Sequence, residues 1–251
     1  MSAAHALTAE DFAFSRLIAY AAYQWPNYAD AAHHRLIARH LEAVERGEIK
    51  RLMLLMPPRH GKSELASKRF PAYALGKRPE LQFISASSTS GLAEDFGREV
   101  RNIIGSQDYK NLFPQTELAE DSQAKGKWNT SAGGVYYAVG VGGAVIGRGA
   151  DIFLIDDPYS TMADAQSETI RKSVWEWYTG TVYNRLQPGG SIVLINHRMH
   201  EDDLTGALLG QQAAGGDTWE VVELPAINEN DEALWPEAYP IADLRQIQLN
   251  T

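Results

Sequence analysis

Apolar and polar positions follow two different rhythms along this chain. In residues 8–23 and 31–46 apolar side chains recur at helical spacing, and Gly47 follows the second stretch where a helix C-cap is expected. Both helices precede the first strand. Residues 51–56 (RLMLLM) are short, apolar and ended by Pro57, as in a central strand buried on both faces. Residues 81–86 (LQFISA) repeat that pattern, followed by small hydroxyl residues and a helical stretch from about Gly91 to Ile104. Residues 135–141 and 145–156 read as strands around a glycine-rich turn. Residues 191–196 (SIVLIN) read as another strand, after the turn signal PGG. Strands separated by helices predict an α/β fold with a mostly parallel, doubly wound central sheet flanked by helices.

Composition narrows the class without naming a partner. At 251 residues the chain suits one main domain, and its 44% hydrophobic content is that of an ordinary globule. No apolar run approaches the ~20 residues of a membrane span, and the N-terminal residues lack the basic and apolar regions of a secretory signal. There is no cysteine, hence no disulfide framework or thiolate metal site, and a reducing cytoplasm is the expected compartment. A formal charge of −9 argues against a globally basic nucleic-acid coat but permits a local patch.

The chemistry enters at PPRHGKSE, residues 57–64. A buried strand, a tight loop and a helix starting near Gly61 would aim backbone N–H groups and the positive helix end at one point, which makes an anion site. Lys62 would reach the outer phosphates, and Ser63 would offer its hydroxyl to a magnesium ion. The loop departs from the usual Walker-type pattern because Met56 occupies the first glycine position, leaving Pro57 and Pro58 to shape it. A chance GKS at a surface helix start is the rival reading, and the apolar strand before it favours the phosphate loop. Such a loop predicts a second strand ending in an acid. ADIFLIDDP, residues 150–158, supplies Asp156 for the magnesium shell and Asp157 to orient an attacking water.

These residues resemble a known family, the ATPase domain of the large terminase subunits that package double-stranded DNA into tailed-bacteriophage heads. The resemblance rests on PPRHGKSE, on GRGADIFLIDDP (147–158), on the stretch from SVWEWY to HRMHEDDL (173–204), and on ELPAI followed by LWPE (223–237). It covers nearly the whole chain. It implies a P-loop NTPase of the ASCE, RecA-like class with ATP and Mg2+ as cofactors, hydrolysing ATP to translocate DNA into the procapsid. The implied organisation is an N-terminal helical or lid segment (1–48), the ATPase core (49–218) and a C-terminal lid or linker segment (219–251). In the family an RNase H-like nuclease usually follows, so a motor domain without its nuclease is expected. Implied partners are double-stranded phage DNA, the small terminase subunit, the portal protein and further copies in a ring, with a monomer in isolation, in the host cytoplasm and without a membrane.

By position, Pro58, Arg59, His60, Gly61, Lys62, Ser63 and Glu64 are expected to surround the nucleotide phosphates. Ser63 and Asp156 are the expected metal ligands. Arg59 resembles the loop arginine thought to sense or stabilise phosphate, and Arg148 resembles the arginine that reaches a neighbouring subunit's ATP. Many members carry glutamate where Asp157 stands, so its strand end is expected to sit closer or another group to supply the base. Asn196 is expected to report the γ-phosphate and Arg198 to contact phosphate or DNA. Against these stands a metal site of His197, His200, Asp202 and Asp203. Pro26 and His34, with Trp25 and Tyr28, are candidates for the adenine end, or pack a helical lid against the sheet. Trp175, Trp177 and Tyr178 read as helix packing. Lys68, Arg69, Lys77, Arg78, Lys125 and Lys127 are scattered candidates for DNA contact. Two alternatives keep their place: another P-loop DNA-dependent ATPase of helicase type, and a nucleotide-gated docking module with little turnover.

Overall fold

A computed structural model describes residues 8–25 and 28–250. In chain order the elements are α1 (Ala9–Ser15), α2 (Leu17–Gln24), α3 (Ala32–Glu45), β1 (Arg51–Leu55), a π-helical stretch (Glu64–Arg69) running into α4 (Phe70–Lys77), β2 (Gln82–Ser87), α5 (Ser90–Gly105) and α6 (Gln107–Leu112). Then follow β3 (Leu118–Ala124), β4 (Lys127–Thr130), β5 (Val135–Gly140), β6 (Ala150–Asp156), α7 (Met162–Gln166), α8 (Glu168–Trp177), β7 (Leu186–Asn196), α9 (Leu204–Ala213), β8 (Glu220–Glu223) and α10 (Ile241–Asn250).

The strands form one sheet in the order β3-β4-β5-β2-β6-β7-β1-β8. From β5 to β8 every pairing is parallel, and β3 and β4 extend the β5 edge in antiparallel fashion. The chain is thus an α/β protein on a mostly parallel sheet. The strand that leads into the loop at residues 57–61, β1, is separated from the acid-bearing β6 by β7 alone. Alternation along the strands divides the core. Leu52 and Leu54 of β1, Leu154 of β6 and Val193 and Ile195 of β7 face the helices α1 to α6. Met53 and Leu55, Phe153 and Ile155, and Ile192 and Leu194 face α8 and α9. Both faces are covered, so the central strands read as continuous apolar runs.

Three local expectations change. Residues 8–23 do not make one helix, because Arg16 is extended (φ −134°, ψ 126°) and splits it into α1 and α2. The break lets the buried Glu42 carboxylate accept from the Leu17 N–H at 2.7 Å, an anion at the start of α2. The strand expected from residue 145 begins at Ala150, since Val145 packs into the core and Gly147 takes φ 67°. The PGG signal lies inside β7 instead of before it. Between the pairs Ala150↔Leu186 and Ile152↔Ser191 the register slips, and this bulge holds Pro188 and Gly189 (φ 80°). The expected helix end at Gly47 stands, with φ 75° and the Glu48 N–H returning to the Ala43 carbonyl at 2.9 Å.

Leu17, Tyr20, Ile37 and Leu41 of α2 and α3 share the core of β1, and β8, at the start of the expected C-terminal segment, pairs in register with β1.

Candidate active site

The loop after β1 is built from both sides. At its start the Met56 N–H donates to the Asn196 carbonyl at 3.1 Å. It then passes Pro57 and Pro58 and turns through two left-handed residues, Arg59 (φ 62°) and Gly61 (φ 83°), before helical turns begin at Lys62. A side chain at position 61 would collide with His34 Nε2, so glycine is required there by close approach as well as by φ. From beneath, the His60 carbonyl accepts from His33 Nε2 at 3.1 Å and His34 Nε2 at 3.0 Å. From above, Tyr239 stacks on the His60 ring at 4.7 Å and its hydroxyl donates to the Arg59 carbonyl at 3.4 Å. Trp235 lies against both lower imidazoles. Burial, aided by the neighbouring His34, pulls the His33 pKa down to about 4, and burial also lowers that of His34. The His33 ring is therefore a neutral donor near pH 7.

The helix that follows opens at the loop with its unpaired first-turn N–H groups and positive dipole end, so it favours an anion there. It then widens into the π-helical stretch, with the Phe70 N–H reaching back to the Leu65 carbonyl. Pro71 lies just beyond, and a widened ladder is where a proline inside a helix is accommodated. This stretch buries Ser67, whose hydroxyl donates to Asp156 Oδ2 at 2.6 Å.

Asp156 and Asp157, adjacent at the end of β6, have opposite environments. Asp156 is 2% exposed and its Oδ1 is buried with no protein partner among the described residues. Burial first, and then the charge of Asp157, pushes its pKa up, against the Ser67 and Ser63 hydroxyls and Lys62. A buried carboxyl with one bare oxygen beside two hydroxyls fits the shell of a hydrated divalent cation. Asp157 sits at φ 45°. Its Oδ1 accepts from the His197 N–H at 3.1 Å and from His197 Nδ1 at 2.8 Å, and its Oδ2 holds the Lys62 ammonium. Burial works to raise its pKa, but the His197 hydrogen bond and Lys62 outweigh that and hold it below the ordinary value. An open groove of about 310 Å³ adjoins, lined in part by Met56, Pro57, Pro58, His197, Arg198 and Leu224.

The remaining expected site residues are distributed unevenly. Pro58 and Arg59 are exposed at the tip of the loop. The Glu64 carboxylate is taken by Lys68 (2.9 Å) and Arg69 (2.8 Å). The Asn196 carbonyl meets the start of the loop at Met56, but its side chain is directed away from the loop. Asn196 shares a strand face with Ile192 and Leu194, and its buried amide donates to Asp203 and Thr205 at the start of α9. His197, one residue on, takes the place beside Asp157. Arg198 holds Asp203 at 3.0 Å. His34 lies beneath the loop, while Pro26 falls outside the described residues. Trp25 packs on Tyr28 and under the Arg69 guanidinium, and Tyr28 packs on His34. Arg148 precedes β6 at the far end of the strand from Asp156, with its guanidinium over the Tyr137 ring.

The rival metal reading loses its ligands: Asp203 caps α9, His197 is on Asp157, and no group of three or more metal-ligating side chains occurs among the described residues. Trp177 and Tyr178 are buried against the second core layer. Of the basic candidates, Lys68, Arg69, Arg78 and Lys125 are each paired with a glutamate and Lys77 lies over Phe14. Among the described residues no helix is long and apolar enough to cross a membrane.

Sequence reasoning missed Ser67 and His33, and placed His197 only in the rival metal site. Ser67 follows Ser63 by one helical turn, a spacing visible in the sequence, but the π-helical widening is not. His197 follows from strict alternation on β7 once it is known which sheet face the loop helix covers. His33 carried no separate signal.

The family described as terminase large subunit, T4likevirus-type, N-terminal, matches residues 53–239. The large terminase of bacteriophage HK97 superposes with a TM-score of 0.54 at 14% identity, covering 86% of this chain and 44% of that one. The chain thus spans less than half of that protein. A variant of the large terminase ATPase domain of Thermus phage P74-26 is 18% identical, covering 75% of this chain and 69% of its own, with a TM-score of 0.48. No curated protein matches.

Proposed function

The chain belongs to the terminase large subunit family, to its T4-like-virus-type N-terminal part, and from that premise we propose that it is the ATP-hydrolysing motor domain that drives double-stranded DNA into a phage procapsid. One observation carries the reading: a lysine at a helix mouth, a bare buried carboxylate and a second, ionised carboxylate converge at the C-terminal edge of a parallel sheet. That is the arrangement a nucleoside triphosphate with its metal needs. The loop N–H groups and Lys62 would bind the phosphates, with Arg59 above them at the exposed tip. Ser63 and Asp156 would hold magnesium, which when bound neutralises charge on the phosphate oxygens. Asp157 would orient the attacking water. Arg148 would serve a neighbouring subunit, so a ring of copies completes each site.

DNA, the small terminase subunit and the portal are the partners in this reading, in the cytoplasm of the host. With most basic candidates already paired, a single copy would hold DNA weakly and a ring would hold it by avidity.

The test is calorimetry of ATP with the intact chain, with and without Mg2+, beside Lys62→Ala. Saturable uptake that Lys62→Ala abolishes is expected, and ATP uptake indifferent to that change would remove the motor reading. A second reading, a nucleotide-gated module with little turnover of its own, draws on one feature: Lys62 and Asp157 neutralise each other while Arg148 stands away from their site. Phosphate release that stays absent at every protein concentration, with ATP binding intact, would favour it.

A further inference from the structure

We propose that His197 is a positioning residue, which keeps the Asp157 carboxylate aimed after the nucleotide has drawn Lys62 away. This rests on the reading of Asp157 as the group that orients water. Two partners hold Asp157, and they differ in what a triphosphate would do to them. Lys62, on Oδ2, carries a positive charge in the phosphate loop and is the group a phosphate would recruit. His197, on Oδ1, comes from the end of β7.

The grip of His197 is double. Its backbone N–H (3.1 Å) and its ring Nδ1 (2.8 Å) both reach the same oxygen. Facing a carboxylate oxygen at 2.8 Å, Nδ1 is the donating nitrogen, with the Lys62 ammonium farther off at 3.5 Å. Two donors from one residue fix direction as well as distance. That matters for a carboxylate whose own backbone is left-handed at φ 45° and whose N–H is tied to the Ile195 carbonyl at 2.9 Å. With Lys62 on phosphate, Oδ2 becomes free to accept from a water while Oδ1 stays fastened. The nearby Asn196 cannot take over, because its amide is committed to Asp203 and Thr205.

Two measurements on the intact chain test this. In steady-state ATP hydrolysis, His197→Ala is expected to lower kcat about 10- to 100-fold with KM and calorimetric ATP affinity within two-fold of the starting protein. His197→Asn, whose amide can donate from a similar place, is expected to recover most of the loss. A His197→Ala protein with unaltered kcat, or equal loss in both variants together with lost ATP binding, overturns the inference. The second measurement needs no turnover. In nitrogen-15 NMR of labelled histidines, with the signal assigned by its absence in His197→Asn, the Nδ1-protonated imidazole is expected to persist when a non-hydrolysable ATP analogue and Mg2+ saturate the site, and its disappearance overturns the inference. Asp157→Asn separates the levels. If that variant is inactive while His197→Ala is normal, only this inference fails, whereas normal turnover in Asp157→Asn removes the reading beneath it.

Discussion

The Lys62 ammonium rests on the Asp157 carboxylate, joining the helix after β1 to the end of β6 past the intervening strand β7. The lysine is 5% exposed, so little solvent screens the pair. In the proposed reading the two groups that act on phosphate thus occupy each other, and a phosphate would have to compete with Asp157 for Lys62.

This relationship sets the outcome of Asp157→Asn. Removing the competing charge frees Lys62, so ATP affinity should be kept or rise several-fold. Removing the carboxylate takes away the group proposed to orient water, so turnover should fall by about 10²- to 10⁴-fold. Calorimetry and phosphate release on the same preparation read both effects, and normal hydrolysis would end the assignment.

The two serines facing Asp156 should separate stability from metal binding. Ser67 is fully buried and donates to the carboxylate at 2.6 Å, so Ser67→Ala should destabilise the fold by about 1.5–3 kcal/mol, the usual range for a hydrogen bond to a charged group. Ser63, partly exposed at the helix mouth, should tolerate alanine within about 0.5 kcal/mol. Its loss should instead weaken ATP uptake only when Mg2+ is present. Urea unfolding and calorimetry with and without Mg2+ check the pair, and reversed phenotypes would exchange the two roles.

What was legible in the sequence is what depends on near neighbours along the chain. The apolar runs of β1, β2, β6 and β7, the loop and the acidic strand end each announce themselves within a dozen residues. What was hidden depends on distant partners. The break at Arg16 answers to Glu42, twenty-five residues beyond Leu17. The exchange of Asn196 for His197 turns on which face of β7 meets the loop helix, and a one-residue step on a strand reverses that face. The role of His34 under Gly61 required the packing of α3 on the loop, which no local pattern carries.

The histidines under the loop make stability depend on pH. His33 has a folded pKa of about 4 against an ordinary value of 6.5, so between these pH values the unfolded chain binds more protons than the folded one. Its contribution is fully present above pH 6.5 and is lost as pH falls toward 4, by at most roughly 3 kcal/mol. His33→Gln, which keeps a donor for the His60 carbonyl, should flatten that slope. Unfolding midpoints measured from pH 7.5 to 4 test it, and an unchanged slope in the variant would place the dependence on other groups.

The Arg148 guanidinium lies over the Tyr137 ring and not on the Lys62–Asp157 pair of its own chain. Its backbone precedes Ala150 at the opening of β6, the end of the strand away from Asp156. Tyr137 packs against the core layer opposite the loop helix. If Arg148 stabilises transferring phosphate in another copy, such a group is worth ~10³-fold or more in rate there. Arg148→Ala and Lys62→Ala should then each be inactive alone, for different reasons. One keeps a whole phosphate site without its arginine, and the other keeps the arginine without a phosphate site. Mixed, they should regain activity that rises with total protein concentration, because the intact loop of one copy meets the intact Arg148 of the other. Arg148→Ala that hydrolyses ATP at the normal rate in dilute solution, or mixtures that stay silent at every concentration while the unmodified chain is active, would rule out an arginine supplied between subunits.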